Sequence, residues 1–524
     1  MFKRSLVVSL RTTLCAAALL AFFAAAARAD VTPSTLFSDH MVLQSGMSVP
    51  VWGTADPGEK VTVTFLKQKK SVKAGSDGKW MLRLSKLKPG GPFQMTIAGK
   101  NSITVQDVLV GDVWLGSGQS NMQFPVSKAH APYAGLLNEA QEIAAANYPN
   151  IRMFSGKPST SYDPKSDIAG QWLICSPATV GDFSAVGYLF ARDLQKALNV
   201  PVGIVLEAFG ASTAEAWIPR DALAADPLLK PMLDRLDAQE TFYKANPKAT
   251  TDQAPPGPQT LNARPPAKPG PLRDPAHDQH EPTVLYNAMI NPVIPYAIRG
   301  AIWYQGESIT GGKAGLTLYP HVMETLINTW RRLWDEGNFP FYEVQLPALK
   351  NVSNNPLVRE GQAQILSLPN TAMAVTIDIG DPDNVHPKNK EPLGDRLTTI
   401  ALANVYGHKM EYSGPVYESM KIEGSAIRLT FSHIGGGLVA KGGPLKWFQI
   451  AGADQNFVDA DAAIDGETIV VRSAAVVAPV AVRYAWDNYP DGSNLYNAAG
   501  LPAAPFRTDQ WDALSKIAEE FTGK

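Results

Sequence analysis

Ser120 is a candidate nucleophile because of the segment that carries it. It lies in Gly-Ser-Gly-Gln-Ser-Asn-Met (116–122), directly after an apolar stretch at 108–115 that has the character of a buried strand. Glycines let the backbone turn sharply after a strand and leave a small side chain uncovered, as a serine nucleophile requires. The motif lacks the second glycine of G-x-S-x-G, so the nucleophile elbow of α/β-hydrolases does not fit. A serine in an ordinary tight turn would give the same local pattern.

His386 is the candidate base for that serine, because histidine usually fills this role near neutral pH. It lies in the segment 378–387, which directly follows a predicted strand at 371–377, and it has an acidic residue close by. Pro387 disfavours helical backbone at His386, so Asp383 and His386 can form the two ends of a four-residue turn, within ~7 Å. An ionised Asp383 would then orient the imidazole and raise its pKa. Alternatively, Asp383 only stabilises the turn and His386 is a surface residue.

Two other predicted strands end in polar loops that contain glycine. The strand at 202–206 leads to Gly210, and the strand at 298–304 leads to Gln305. An oxyanion hole needs N–H donors that point at one place. The Gly210 N–H and the Gln305 amide are candidate donors beside the Ser120 N–H. A turn glycine and a structural buried amide are the alternatives.

The same two loops carry Glu215 and Glu307. Either these carboxylates order their own loops, or they form a catalytic pair of the glycosidase type. The distance between the two carboxyl groups distinguishes these two roles.

Alternating strands and helices must position these residues. Segments of both kinds alternate from 108 to 410, which indicates an α/β core with a mainly parallel sheet, and ligands bind at the carboxyl ends of such strands. Residues 30–107 predict an N-terminal β domain, and residues 411–524 predict a C-terminal β-rich module that ends in a helix near 509–521. Ten prolines at 247–282 predict an exposed loop.

Residues 1–29 have the features of a secretory signal peptide. Basic residues precede an apolar stretch at 14–27, and Ala-Arg-Ala (27–29) matches an A-x-A cleavage site. No later apolar run is long enough for a membrane helix. We therefore expect an exported protein, in the periplasm or outside a bacterial cell.

Charge and cysteine content limit the partners of the chain. A formal net charge of −2 gives no bulk attraction to nucleic acid or anionic lipid, so we expect neither as a partner. Cys15 falls within the predicted signal peptide, which leaves Cys175 as the one thiol of the mature chain. One thiol forms neither an internal disulfide nor a cysteine zinc site, and no H-E-x-x-H motif is present. We predict no metal and no cofactor, and the sequence indicates no protein partner.

Four segments together resemble a known family: Gly-Gln-Ser-Asn-Met (118–122), Gly210 before Thr-Ala-Glu-Ala-Trp (213–217), Trp-Tyr-Gln-Gly-Glu (303–307) and Asp-x-x-His-Pro (383–387). They resemble the four sequence blocks of SGNH (GDSL-like) hydrolases, and their particular residues resemble those of the sialate O-acetylesterase group. The resemblance extends from about residue 33 to residue 511.

The resemblance implies an SGNH-hydrolase-like parallel sheet flanked by helices. The strand patterns at 30–107 and 411–524 predict β-sandwich-like modules at both ends of the chain. The resemblance also implies a secreted serine carboxylester hydrolase that removes O-acetyl groups from carbohydrate. Ser120 would be the nucleophile, His386 the base and Asp383 its orienting acid. Gly210 and Gln305 would complete the oxyanion hole with the Ser120 N–H. Two departures stand out: Gln305 replaces the asparagine of the wider family, and Gly210 precedes Ala-Ser where Gly-Gly is common.

The partner implied by the resemblance is an acetylated glycan. Family members named after sialate also include enzymes of plant polysaccharides, so an ester of xylan or xyloglucan is an alternative substrate. A non-catalytic glycan-binding protein is a second alternative, because two β modules flank the core. A glycosidase that uses Glu215 and Glu307 is a third.

Overall fold

The computed structural model describes residues 30–129, 133–253, 261, 270–309 and 312–515. The predicted signal peptide at 1–29 and two parts of the proline-rich stretch, 254–260 and 262–269, lie outside the described residues. None of the helices in the described ranges is long and apolar enough to cross a membrane.

The N-terminal region is built from short strands: β1 (Thr32–Pro33), β2 (Val42–Gln44), β3 (Val49–Thr54), β4 (Lys60–Phe65), β5 (Gln68–Lys73), β6 (Lys79–Leu84) and β7 (Gly90–Ala98). β1, β3 and β6 form a three-stranded antiparallel sheet, while β4 pairs with β5 and β7. Buried and exposed residues alternate along β6, because successive side chains of a strand point to opposite faces.

A central sheet follows: β8 (Ser102–Gly118), β9 (Tyr148–Gly156), β10 (Gly170–Cys175), β11 (Val202–Ala208), β12 (Gly300–Tyr304), β13 (Phe341–Val344) and β14 (Thr371–Ala374). The strands pair in the order β10-β9-β11-β8-β12-β13-β14, and only β10 runs antiparallel to its neighbour. The first half of β8 also pairs with β2 and β7. This mixed α/β architecture with a large central sheet confirms the predicted fold class at that level.

The helices connect and cover the central strands: α1 (Ser120–Gln123), α2 (Glu139–Ala145), α3 (Ala185–Leu198), α4 (Arg220–Ala225), α5 (Lys230–Ala245), α6 (Lys313–Trp334), α7 (Asn355–Ala363) and α8 (Glu391–Asn404). α3 packs on α8 and on β11, and α6 packs on α7. Every residue of β11 is buried. Both faces of such a strand are covered, so it is mostly apolar and shows as an apolar run in the sequence; the exception in β11 is the fully buried Glu207.

The C-terminal region is again made of strands: β15 (Val416–Glu423), β16 (Ala426–Ser432), β17 (Leu438–Ala440), β18 (Phe448–Ala451), β19 (Val458–Asp459), β20 (Asp461–Asp465), β21 (Thr468–Arg472), β22 (Ala481–Tyr484), β23 (Leu495–Asn497) and β24 (Phe506–Arg507). They form two four-stranded sheets, β15-β16-β21-β20 and β19-β18-β22-β24, and a β17-β23 pair. Their apolar side chains form a separate core cluster. Residues 509–515 form no helix, and 516–524 lie outside the described residues.

The boundaries of the predicted units remain predictions. β8 is continuous across the predicted boundary between 107 and 108. In the described part of the proline-rich stretch, the only helical turns are Thr251–Gln253 and Pro275–His277. Leu261, within the same stretch, is fully buried, so this stretch also reaches into the core.

Candidate active site

The site forms where β8 lies between β11 and β12 in the sheet. The chain leads from β8 to β9 on one side of β8, and later from β11 across to β12 on the other side. Such a switch point leaves a crevice at the carboxyl ends of the strands. The loops after β8, β11 and β12 carry Ser120, Gly210 and Gln305 respectively. His386 enters from the loop that follows β14.

Gly118 allows the sharp turn that presents Ser120. Its φ of 130° lies in a region that favours glycine, and a Cβ at this position would be 2.2 Å from the Tyr304 carbonyl oxygen. The next N–H, of Gln119, donates to that same carbonyl at 2.9 Å. Helix α1 therefore begins at Ser120, directly at the end of β8.

The structure brings Ser120 and His386 together. The Ser120 Oγ and the His386 Nε2 are 2.9 Å apart, although 266 residues separate them in the sequence. Ser120 is 8% exposed and His386 is half-buried, so both can be reached from the crevice. This is the geometry that a hydroxyl nucleophile and its general base require.

Gly210 lies against the same serine. A Cβ at Gly210 would be 3.6 Å from the Ser120 Cβ, and the Gly210 N–H donates to Gln123 Oε1 at 2.8 Å. The fully buried Gln305 donates from Nε2 to the Ser212 carbonyl at 3.2 Å. The Gly210 N–H and the Gln305 amide thus already have acceptors, and their part in an oxyanion hole stays a prediction.

Asn121, the residue after Ser120, holds the loop that carries His386. Its Nδ2 donates to the Val385 carbonyl at 2.9 Å and to Glu307 Oε1 at 2.6 Å. Within that loop, the His386 N–H donates to Asn384 Oδ1 at 2.9 Å. Ser120, the candidate nucleophile, and Asn121, which holds the loop of the candidate base, are therefore adjacent residues of α1.

Lys390 lies behind this arrangement and is only 4% exposed. Its Nζ donates to Asn121 Oδ1 at 2.8 Å and lies 5.5 Å from the ring centre of Tyr304. Burial lowers the pKa of Lys390 to about 8, while the charge of Glu307 acts in the opposite direction. Sequence reasoning missed Asn121 and Lys390. The one signal in the sequence was that they lie close to Ser120 and His386. Exposed loop residues lie equally close, so this signal is not specific.

The pKa of His386 is lowered to about 4, first by burial and second by the charge of Lys390. This is opposite to the rise expected from a neighbouring Asp383 carboxylate. The Asp383 side chain is exposed, and its backbone N–H donates to Asp381 Oδ1 at 3.0 Å. Within the described residues, no hydrogen bond joins the Asp383 carboxylate to His386. The orienting role of Asp383 stays a prediction.

The two glutamates occupy different surroundings. Glu215 is fully buried, accepts the Leu261 N–H at 2.9 Å, and has its pKa raised to about 7 by burial. Its carbonyl also accepts the Thr283 N–H at 3.1 Å. Glu307 accepts from Asn121, and burial raises its pKa as well. These contacts tie each glutamate to a neighbouring loop, and the loop-supporting role of both stays a prediction.

The described residues contain neither a candidate metal site nor a reactive thiol. Among these residues, no group of three or more His, Cys, Asp or Glu side chains could hold a metal ion. Cys175 is buried, and burial raises the pKa of its thiol to about 12. A thiol with so high a pKa is a poor nucleophile near neutral pH.

Comparison with known proteins shows which family this chain resembles. The sequence profile of a family described as carbohydrate esterase, sialic acid-specific acetylesterase, matches residues 276–403, which include Gln305, Asp383 and His386. A sialate O-acetylesterase from Mus musculus is 31% identical, over 90% of this chain and 93% of its own length. The chain belongs to the sialate O-acetylesterase family. The family resemblance predicted from the four sequence segments is thereby confirmed.

Other relatives of this sialate O-acetylesterase family member point the same way. The sialate O-acetylesterase of Homo sapiens is 30% identical, over 90% of this chain and 91% of its own length. A carbohydrate acetylesterase from Xanthomonas citri, known from a crystal structure, is 36% identical with a TM-score of 0.78. That comparison covers 92% of this chain and 100% of the other. The prediction that this chain is a carbohydrate O-acetylesterase is confirmed at the level of enzyme class.

Proposed function

We propose that this chain removes O-acetyl groups from an acetylated carbohydrate through an acetyl-enzyme intermediate. Ser120 is the nucleophile, His386 the general base and Asp383 the acid that orients it. The 2.9 Å contact between Ser120 Oγ and His386 Nε2 carries this proposal. Asp383 is included because of its place three residues before His386 in the family pattern.

In the first step, Ser120 Oγ attacks the acetyl carbonyl carbon while His386 Nε2 accepts the hydroxyl proton. The tetrahedral intermediate then collapses, the bond to the sugar oxygen breaks, and His386 returns the proton to that oxygen. In the second step, His386 activates a water molecule that attacks the acetyl-Ser120 ester. Acetate leaves and the Ser120 hydroxyl is restored.

The negative charge of the intermediate needs donors near Ser120. We assign this task to the Ser120 N–H, the Gly210 N–H and the Gln305 amide. The Gly210 N–H already donates to Gln123 Oε1, an acceptor that resembles a carbonyl oxygen. In this proposal the substrate oxygen replaces the Gln123 oxygen on the Gly210 N–H.

The substrate class follows from the relatives. The mammalian relatives are named for sialate, and the bacterial one for carbohydrate in general. We propose a sialate ester as one substrate, and an acetyl ester of xylan or xyloglucan as the alternative. A non-catalytic glycan-binding protein would not need the Ser120–His386 contact, and a glycosidase would need substrate to reach the fully buried Glu215.

We further propose that residues 108–410 form an SGNH-hydrolase-like core, and that 30–107 and 411–524 form β-sandwich-like modules. The parallel sheet with Ser120 after its central strand supports the first assignment. Export of the mature chain after removal of residues 1–29 completes the proposal. It is tested by N-terminal sequencing of protein from the culture medium and the periplasmic fraction.

The decisive experiment measures acetate release from a panel of acetylated sugars: O-acetylated sialic acid, xylan and xyloglucan. Hydrolysis of 4-nitrophenyl acetate reports the bare esterase chemistry in parallel. Ser120→Ala protein that folds normally is the control and should release no acetate. Reducing ends released without acetate would instead establish a glycosidase.

A further inference from the structure

The proposed chemistry fixes where the sugar must lie. His386 Nε2 accepts the Ser120 proton and returns it to the sugar oxygen of the ester. That oxygen must therefore come within hydrogen-bond reach of Nε2, about 2.6–3.2 Å. The side of His386 toward Asn121 and Lys390 is filled by the buried hydrogen bonds described above. The sugar ring must therefore lie on the outer side of His386, which faces solvent.

Two aromatic rings flank His386. The Phe124 ring centre is 4.5 Å from that of His386, and the Tyr133 ring centre is 6.4 Å from it. Phe124 and Tyr133 lie 6.3 Å apart with their planes inclined by 30°. The three ring centres form a triangle, in which Phe124 is half-buried and Tyr133 is 60% exposed.

This exposure of Tyr133 is unusual for the molecule. Among the described residues, it is the one aromatic side chain in the set of exposed large hydrophobic residues. Aromatic rings bury a large apolar area, and a tyrosine also presents a polar tip, so such rings are usually covered unless they bind something. A ring left open to solvent beside the candidate base therefore points to a ligand.

The segment that carries Tyr133 is fastened beside the site. The Gly135 N–H donates to the Pro125 carbonyl at 3.2 Å, and the Leu136 N–H donates to the Val126 carbonyl at 3.1 Å. The Leu137 N–H donates to the carbonyl of Lys388, two residues after His386, at 3.0 Å. These bonds tie the segment both to the chain after α1 and to the His386 loop.

We propose that Tyr133 is a specificity-determining residue: the pyranose ring that carries the acetyl ester packs on its exposed face while the ester reaches Ser120. This inference rests on the proposed function and adds the surface that holds the sugar. The apolar C–H face of the pyranose covers the aromatic ring, and the sugar hydroxyls remain free to contact water. The hydrolysed ester is thereby selected by its sugar and not only by its acetyl group.

The test compares two esters on the full-length mature protein. An acetylated xylo-oligosaccharide offers a pyranose ring, whereas 4-nitrophenyl acetate offers no sugar. For Tyr133→Ala, we expect the ratio of kcat/KM for the oligosaccharide to kcat/KM for 4-nitrophenyl acetate to fall about tenfold, mainly through KM. Tyr133→Phe keeps the aromatic face and should keep the ratio. Val477→Ala removes an exposed apolar side chain in the C-terminal region and is the matched control.

The outcomes separate the inference from the proposed function. An unchanged ratio in Tyr133→Ala overturns the inference while the esterase mechanism stands. A uniform loss on both esters also overturns it, because Tyr133 would then only support His386. Wild-type protein that releases acetate from no sugar refutes the proposed function and the inference with it. If Tyr133→Ala fails to fold, Tyr133→Leu supplies the same comparison.

Discussion

Burial and, second, the charge of Lys390 should hold the imidazole of His386 neutral in weakly acidic solution. With a pKa of about 4, about 90% of the imidazole is neutral at pH 5. With the ordinary value of ~6.5, only about 3% would be neutral at that pH. Since only the neutral imidazole can accept the Ser120 proton, kcat/KM should change by only about 10% between pH 5 and pH 7. An unshifted histidine would instead give a rise of roughly 25-fold over the same interval.

Lys390→Gln tests the cause of this shift. Lys390 is protonated below its pKa of about 8, and its positive charge disfavours a second positive charge on His386. A glutamine removes the charge but keeps an N–H donor for Asn121 Oδ1. The pKa of His386 should therefore rise, yet stay below ~6.5 because burial is the first cause of the shift. The variant should lose activity at pH 5 relative to pH 7.

The assay is the pH profile of kcat/KM for 4-nitrophenyl acetate, together with an NMR titration of His386 in the unliganded protein. Lys388→Gln removes the charge of a less buried lysine two residues from His386 and is the matched control. A wild-type profile that rises through a pKa near ~6.5 would refute the reasoning. So would a Lys390→Gln profile that coincides with that of the wild type.

Four further results are expected. Ser120→Ala and His386→Ala should each abolish nearly all acetate release, and the double variant should be no worse, because the two groups act as one unit. Asp383→Asn should cost no more than either of these, as measured by kcat on the same ester; a larger loss would contradict a purely orienting role. Gln305→Ala should lower kcat by about 10²–10³ with an unchanged circular dichroism spectrum, and full activity would remove it from the oxyanion hole. Gly118→Ala should lower the free energy of unfolding by more than about 1 kcal/mol in urea, since its Cβ would meet a backbone oxygen at 2.2 Å; wild-type stability would show that the turn relaxes.

The strands of the central sheet could be predicted because their burial leaves a simple pattern. The apolar runs at 108–115 and 202–206 became parts of β8 and β11, since strands with both faces covered are mostly apolar. The start of β8 at Ser102 was missed. Its first residues alternate in burial, because that half pairs with β7 on a sheet with one exposed face.

Helix starts were harder to predict. The sequence favours a start of α6 at Pro320, because proline is common in the first turn of a helix. In the structure α6 begins at Lys313 and passes through Pro320, with Leu316 and Tyr319 buried on its inner face. Packing of residues 313–319, about two turns of helix, outweighs the backbone hydrogen bond that proline cannot make.

The candidate site shows the same limit. Ser120 and His386 could be predicted because each lies in the segment after a strand and belongs to a recognisable motif. Asn121 and Lys390 could not, because their importance depends on a bond formed across 269 residues. Sequence reasoning also had no means to predict the direction of the His386 pKa, which is set by burial and by Lys390 more than by the nearby Asp383.

The continuity of β8 bears on how this protein could have diverged from its relatives. One strand begins among the N-terminal strands and ends two residues before Ser120. Its first half pairs with β7 and β2, and its second half pairs with β11 and β12. Gene fusion or exchange at residue 107 would cut this strand in the middle and separate its residues 109–111 from their partners in β2. The N-terminal strands should therefore have been inherited together with the nucleophile, and not acquired as an interchangeable attachment.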